Sequence, residues 1–142
     1  MEKILIIVDD KAFAQTLKIF LSDTFPIVHF VTSGEEGIEY VKKESPDVVL
    51  TDLKMPNMGG LDVLKEIKEI DSSIAVIIIT AFDESDSIIK AMQLGAFDFF
   101  EKSLDLKRIK LIVKKTLIIF YGLLIFNPEI CYFENRSLTL LR

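Results

Sequence analysis

The sequence predicts a single α/β domain, a doubly wound five-stranded parallel sheet with helices on both faces. Short apolar runs typical of buried strands alternate five times with amphipathic stretches of helical spacing. The chain has 142 residues, of which 50% are hydrophobic, and this is enough to build one full core. Because parallel crossovers are right-handed, the strand order expected for such a sheet is 2-1-3-4-5.

The first half of the chain supplies three strands and two helices. The predicted strands are apolar and rich in β-branched residues, and they cover residues 4–8, 27–31 and 47–52. A helix is predicted to begin at Lys11 and to stop before Phe25, and a second one follows Ser33 and ends before Pro46. Ser33 and Glu36 fit a capping box, in which each side chain reaches the backbone near the other.

The second half repeats the alternation. Predicted strands cover residues 74–80 and 97–100, and apolar residues at helical spacing predict helices over residues 61–70, 88–92 and 106–113. Gly95 is placed to end the fourth helix. Lys114 and Lys115 are expected to end the fifth helix, because positive charges suit the carboxyl end of a helix dipole.

Polar side chains follow four of the predicted strands at the point where each strand ends. Asp9 and Asp10 follow the first strand, Asp52 the third, Thr80 the fourth and Lys102 the fifth. The carboxyl ends of parallel strands meet at one edge of the sheet, which is where open α/β folds bind ligands. Since strands 1 and 3 are neighbours in the predicted order, we expect the three aspartates to lie together, with Thr80 and Lys102 beside them.

Crowded carboxylates repel one another unless a cation lies among them. The ligands on offer are oxygen atoms without His or Cys, and this donor set favours Mg²⁺ or Mn²⁺ over zinc or copper. A metal ion, the Lys102 ammonium and the Thr80 hydroxyl are the groups that a dianionic phosphoryl group needs around it, with one aspartate as nucleophile. The sequence therefore predicts an aspartyl-phosphate site.

Four motifs at these strand ends resemble the receiver domain of bacterial response regulators, over roughly residues 3–116. They are the Asp9-Asp10 pair, the segment 52–56 with Gly60, the Thr80-Ala81 pair and the segment 95–102. The resemblance implies a flavodoxin-like fold. It also implies that Asp52 accepts a phosphoryl group from a phosphohistidine on a sensor histidine kinase or a phosphotransfer protein.

The same resemblance implies roles for the neighbouring residues. Asp10 would bind Mg²⁺ directly and Asp9 through water, while Asp52 and the backbone carbonyl of Lys54 would supply further oxygens. Lys102 would pair with the phosphoryl oxygens.

The resemblance also implies that two further residues of this chain act as a conformational switch. Thr80 would turn to hydrogen-bond the phosphoryl group, and Phe99 would move from an exposed to a buried position. The surface formed by helix 4, strand 5 and helix 5 would then change and control a partner or output domain. One departure is Ser103, because the family usually has a proline there, often after a cis peptide bond. The Lys102–Ser103 bond is therefore either trans or strained.

Charge and composition exclude several other classes. The formal net charge is -5 and the isoelectric point is near 4.9, which argues against direct nucleic-acid binding by this chain. One cysteine, Cys131, forms no internal disulfide, and no cleavable signal follows Met1. The most apolar tract, residues 117–126, is shorter than the ~20 residues of a membrane span. We expect a cytoplasmic protein that makes no membrane contact.

Residues 117–142 form an apolar C-terminal tail after a receiver domain of residues 1–116. One interpretation is that the tail packs on the domain or on a second copy in a homodimer, because such a segment would otherwise be an exposed apolar patch. The other is a set of strands joined by turns, covering residues 123–126, 130–133 and 138–141. That pattern is similar to the opening strands of the DNA-binding domain in winged-helix response regulators, and the tail would then be a truncated output domain.

The leading functional hypothesis is a phosphorylation-controlled switch. Such a protein is not an enzyme, except that it promotes its own phosphorylation and dephosphorylation. Two alternatives stay open. One is a magnesium-dependent phosphatase or phosphotransferase with an aspartyl-phosphate intermediate, and the other is a receiver that only mediates contacts without being phosphorylated.

Overall fold

A computed structural model describes residues 2–81, 84–103 and 105–125. The chain divides into two compact units, Met1–Leu106 and Lys107–Arg142. The strands are β1 (Lys3–Ile7), β2 (Ile27–Val31), β3 (Val48–Asp52), β4 (Ala75–Thr80) and β5 (Asp98–Glu101). The helices are α1 (Lys11–Ser22), α2 (Gly34–Glu44), α3 (Gly60–Ile70), α4 (Ser85–Gln93) and α5 (Leu106–Ile125).

The five strands form one parallel sheet in the order β2-β1-β3-β4-β5. This confirms the predicted fold class and strand order. The register places Asp52 of β3 opposite Ile79 of β4, and Thr80 opposite Glu101 of β5. The carboxyl ends of β3, β4 and β5 therefore lie side by side at one edge of the sheet.

The three central strands, β1, β3 and β4, are buried on both faces, as their continuous apolar runs predict, whereas the edge strands β2 and β5 are partly exposed. Leu5 and Ile7 of β1 join an apolar cluster with residues of α2, α3 and α4. The alternate residues of β1, Ile4 and Ile6, are also fully buried and point to the opposite face, because successive side chains of a strand alternate. Helix α1 contacts β1 and β2 and contributes no residue to that cluster, so it covers this second face.

Local signals in the sequence define the start of α2 and the end of α4. Ser33 Oγ accepts a hydrogen bond from the Glu36 backbone N–H at 3.2 Å, as a capping box predicts. Glu36 Oε1 accepts from the backbone N–H of Thr32 at 3.3 Å, so the reciprocal bond reaches one residue further back than expected. Gly95 follows α4 with φ of 106°, a conformation that favours glycine.

Helix α5 is longer than predicted. Lys114 and Lys115 do not end it, because the helix continues to Ile125. No proline interrupts the stretch from residue 117 to 125, which is a continuous apolar run apart from Gly122, so the helix is not broken there. The strand interpretation of residues 123–126 is wrong for 123–125, which are helical, and the rest of the tail lies outside the described residues. The predicted boundary after residue 116 falls inside α5 and stays a prediction.

Among the described residues, no helix combines the length and the hydrophobicity that are needed to cross a bilayer.

Candidate functional site

Asp52 is the last residue of β3 and its side chain lies almost completely inside the protein. The residue is 2% exposed. The turn that follows folds back closely on the strand, since the Gly60 N–H donates to the Leu53 carbonyl at 2.8 Å. A Cβ atom at position 60 would collide with the Asp52 carbonyl oxygen. Glycine is therefore required at this close approach, which fixes the backbone that carries Asp52.

Lys102 lies directly beside Asp52, as predicted. Its Nζ atom is 3.3 Å from Asp52 Oδ1 and 5.7 Å from the centre of the Phe13 ring. The Lys102 backbone N–H donates to the Thr80 carbonyl at 3.0 Å, which continues the pairing of β4 and β5. No described peptide bond is cis, so the Lys102–Ser103 bond is trans and Lys102 reaches the site without a proline after it.

Burial raises the pKa of Asp52 to about 6. Lys102 opposes this rise, whereas the neighbouring Asp9 adds to it, because a second negative charge favours the protonated carboxyl. Among the described residues, Asp52 Oδ2 is a buried side-chain oxygen with no hydrogen-bond partner. One oxygen of the carboxylate is thus paired with a cation, and the other is available to a ligand or to a reacting atom.

The predicted metal ligands are only partly brought together. Asp9 is exposed and close enough to Asp52 to raise its pKa. Asp10 caps α1, and its Oδ1 accepts from the Phe13 N–H at 3.2 Å. In the described ranges, no three His, Cys, Asp or Glu side chains are placed to hold a metal ion. The unpartnered Oδ2 of Asp52 and the oxygen-only donors nonetheless fit a hard divalent cation, and the ligand role of the Lys54 carbonyl stays a prediction.

The two predicted switch residues, Thr80 and Phe99, differ in solvent exposure. Thr80 is buried, and Phe99 is 40% exposed. The Thr80 hydroxyl lies 2.8 Å from the Ala81 carbonyl oxygen and 3.0 Å from Glu84 Oε1. Either atom can accept the single hydroxyl hydrogen, so Thr80 is engaged with the residue after β4 and with the residue before α4.

Sequence reasoning missed Glu84, which joins three of the residues discussed above. Its Oε1 accepts from the Thr80 hydroxyl and from the Ala81 N–H at 2.7 Å, and its Oε2 lies 3.3 Å from Lys54 Nζ. The only signal was an acidic residue four positions after Thr80, just before the first turn of α4. An acidic residue there is equally typical of the start of a helix, because negative charge suits that end of the helix dipole.

The raised pKa of Asp52 predicts that stability falls as the pH rises. Aspartate in an unfolded chain has a pKa near 3.9, whereas that of Asp52 in the folded protein is about 6. Between these values the folded state holds a proton that the unfolded state has lost, so stability decreases across this window and stays low above it. We expect a loss of about 2 kcal/mol, because solvent around the partly exposed Lys102 screens part of the effect.

Urea denaturation of the wild type and of Asp52→Asn, in EDTA, measures this loss. At about pH 7.5 the variant should be the more stable protein, and at about pH 4 most of the difference should be gone. A difference of the same size at both pH values would contradict the prediction, because it would arise from packing and not from ionisation.

Comparison with known proteins gives consistent results. Residues 4–114 match the family model described as the response regulator receiver domain. The chain is 40% identical over 120 residues to sporulation initiation phosphotransferase F of Bacillus subtilis, covering 82% of this chain and 94% of that protein. It is 36% identical over 115 residues to the chemotaxis protein CheY of the same organism, covering 80% and 96%.

A solved structure agrees with these relatives. The crystal structure of a response regulator receiver domain protein from Clostridium thermocellum has a TM-score of 0.78 and 35% identity, covering 82% of this chain and 94% of that one.

Proposed function

The chain belongs to the response regulator receiver family of two-component systems, and on this basis we propose that Asp52 accepts a phosphoryl group and thereby operates a signalling switch. The observation that carries the proposal is the state of the Asp52 carboxylate. It is buried at the carboxyl edge of the sheet, with Lys102 on Oδ1 and no partner on Oδ2 among the described residues. A nucleophile needs an oxygen with a lone pair that no protein donor occupies, and Oδ2 is such an atom in this part of the chain.

In the proposed step, an Asp52 oxygen attacks the phosphorus atom of a phosphohistidine on a sensor histidine kinase or a phosphotransfer protein. The new O–P bond forms as the N–P bond breaks, and the imidazole leaves with the bonding electron pair. The carboxylate has to be ionised to attack, and with a pKa of about 6 it is ionised at neutral pH. The product is a mixed anhydride of aspartate and phosphate.

Residues around Asp52 would stabilise the negative charge of the phosphoryl group. The Lys102 ammonium, already 3.3 Å from Oδ1, can follow the negative charge onto the phosphoryl oxygens. Asp9, Asp10, Asp52 and the Lys54 carbonyl are the proposed holders of Mg²⁺ or Mn²⁺, which when bound would offset the charge of the incoming phosphoryl group.

The output surface is proposed to include α4 and β5. Ile88, Ile89, Met92 and Phe99 line a groove of about 690 Å³ between α4 and β5. Phosphorylation would draw Thr80 towards Asp52 and let Phe99 move inwards, so the lining of this groove would change. A partner or an output domain would then bind one state better than the other, which is the requirement for a population shift.

The proposal predicts one phosphoryl group per chain and a requirement for a divalent cation. After incubation with acetyl phosphate and Mg²⁺, intact mass spectrometry should show a single adduct, and excess EDTA should reduce its rate of formation by at least about 100-fold. Multiple turnover of phosphoesters would support the phosphatase or phosphotransferase alternative instead. Metal binding without any adduct would support a receiver that only mediates contacts.

A further inference from the structure

We propose that Glu84 is a positioning residue of the phosphorylation site, whose buried carboxylate holds the Thr80 hydroxyl in the unphosphorylated protein and competes for it with a phosphoryl group on Asp52. This inference rests on the proposed function. It adds a residue that opposes the movement of Thr80 towards a phosphoryl group. Measurements on Glu84 variants can contradict this role while the proposed function stands.

The geometry of the Thr80 hydroxyl carries the proposal. A hydroxyl has one hydrogen to donate, and its acceptors in the structure are Glu84 Oε1 at 3.0 Å and the Ala81 carbonyl at 2.8 Å. Asp52 Oδ2 receives no hydrogen bond from Thr80. A phosphoryl group on Asp52 can therefore gain the Thr80 hydrogen only if Thr80 gives up these acceptors.

The direction of the Glu84 side chain is a second, independent observation. Glu84 is the N-cap residue of α4, a position at which short polar side chains such as Ser, Thr, Asp or Asn accept from the first turn of the helix. Glu84 makes no such bond. Instead its Oε1 reaches back to Thr80 and to the Ala81 N–H, so the start of α4 is tied to the end of β4. Within the described residues, the first turn of α4 is thus without a side-chain cap, and the Glu84 carboxylate contacts the end of β4 instead.

The negative charge of Glu84 strengthens its hydrogen bond with the Thr80 hydroxyl. Its side chain is only 4% exposed, whereas that of its ion-pair partner Lys54 is 78% exposed. Burial alone raises the pKa of Glu84, but the hydrogen bonds from Ala81 and Thr80, together with Lys54, outweigh burial and leave the pKa below its usual value. Glu84 is thus ionised at neutral pH. Hydrogen bonds to an ionised acceptor are about twice as strong as neutral ones.

Movement of Thr80 would leave this carboxylate with one donor fewer. A buried charged group that loses a hydrogen bond is destabilised, so the unphosphorylated arrangement is favoured. We therefore expect Glu84 to weaken the binding of a phosphoryl group by about tenfold, which corresponds to one charge-assisted hydrogen bond. It would also couple Thr80 movement to the first turn of α4.

The test uses Glu84→Gln, which keeps the size of the side chain but removes its charge. The probe is beryllofluoride with Mg²⁺, a stable analogue of a phosphoryl group bound to a carboxylate, and its dissociation constant is measured by fluorine NMR titration. The variant should bind the probe about tenfold more tightly than the wild type. Asp86→Asn, an exposed acidic residue in the first turn of the same helix, is the matched control and should leave the affinity unchanged.

A double-mutant cycle with Thr80→Val separates positioning from a general electrostatic effect. If Glu84 acts by holding the hydroxyl, Glu84→Gln should have no effect on probe affinity in the Thr80→Val background. An equal gain in both backgrounds, or no gain over Asp86→Asn, would overturn the inference while the proposed function stands. If instead the wild type binds no probe and forms no adduct with acetyl phosphate, both proposals fail.

Glu84→Asp provides a second variant in case the glutamine variant is poorly folded. It keeps the charge but shortens the side chain by one methylene group, so it should also release Thr80 and tighten probe binding. If a folded Glu84→Asp protein binds the probe with the affinity of the wild type, the length of the side chain at position 84 does not matter, and this would count against the proposed role.

Discussion

Asp52→Asn is expected to remove the phosphoryl adduct completely, because a carboxamide lacks the nucleophilic oxygen that forms the anhydride. The substitution keeps the shape of a side chain that is 2% exposed. It also removes the repulsion between Asp52 and Asp9, so the variant should fold at least as well as the wild type. Loss of the adduct can then be attributed to chemistry and not to unfolding.

Intact mass spectrometry after incubation with acetyl phosphate and Mg²⁺ measures this result. Asp62→Asn is a suitable control, since Asp62 is an exposed acidic residue in the first turn of α3 and its removal should leave the adduct in place. Retention of an adduct on Asp52→Asn would show that another residue accepts the phosphoryl group.

Lys102→Met is expected to slow phosphorylation by about 10²- to 10³-fold, the usual effect of removing one group that stabilises transition-state charge. The Lys102 ammonium lies 3.3 Å from Asp52 Oδ1 and follows β5, where its backbone pairs with Thr80. Methionine has nearly the same length and can still contact the Phe13 ring, so the variant removes the charge with little change in packing.

A second measurement on the same variant tests the electrostatic explanation. Lys102 lowers the pKa of Asp52 in the wild type, so its removal should move that pKa above 6. Carbon-13 NMR of the aspartate carboxyl groups measures the pKa. Rates should be compared at about pH 8 so that the nucleophile stays largely ionised in both proteins.

Lys65→Met, at an exposed position of α3, controls for the loss of one positive charge and should leave both the rate and the pKa unchanged. An unchanged pKa in Lys102→Met, or a rate within a factor of about three of the wild type, would show that Lys102 has no direct part in the step.

The fold was predictable because its signals are local. Residues 27–31 match β2, and the strand ends at Asp52 and Thr80 are where the change from apolar to polar residues predicts them. The end of α5 was not predictable, because two lysines suit a helix end without requiring one, and the apolar residues after them continue the helix to Ile125.

The sequence by itself determined the strands, their order and the residues at the carboxyl edge of the sheet, because apolar patterning and the handedness of crossovers depend on the chain alone. Only the tertiary structure decided what each polar atom contacts: Asp10 caps α1, Glu84 binds Thr80, and Asp52 Oδ2 has no partner within the described ranges. Hydrogen bonds and pKa values change over fractions of an ångström in side-chain position. Packing sets distances of that size, and no spacing along the chain encodes them.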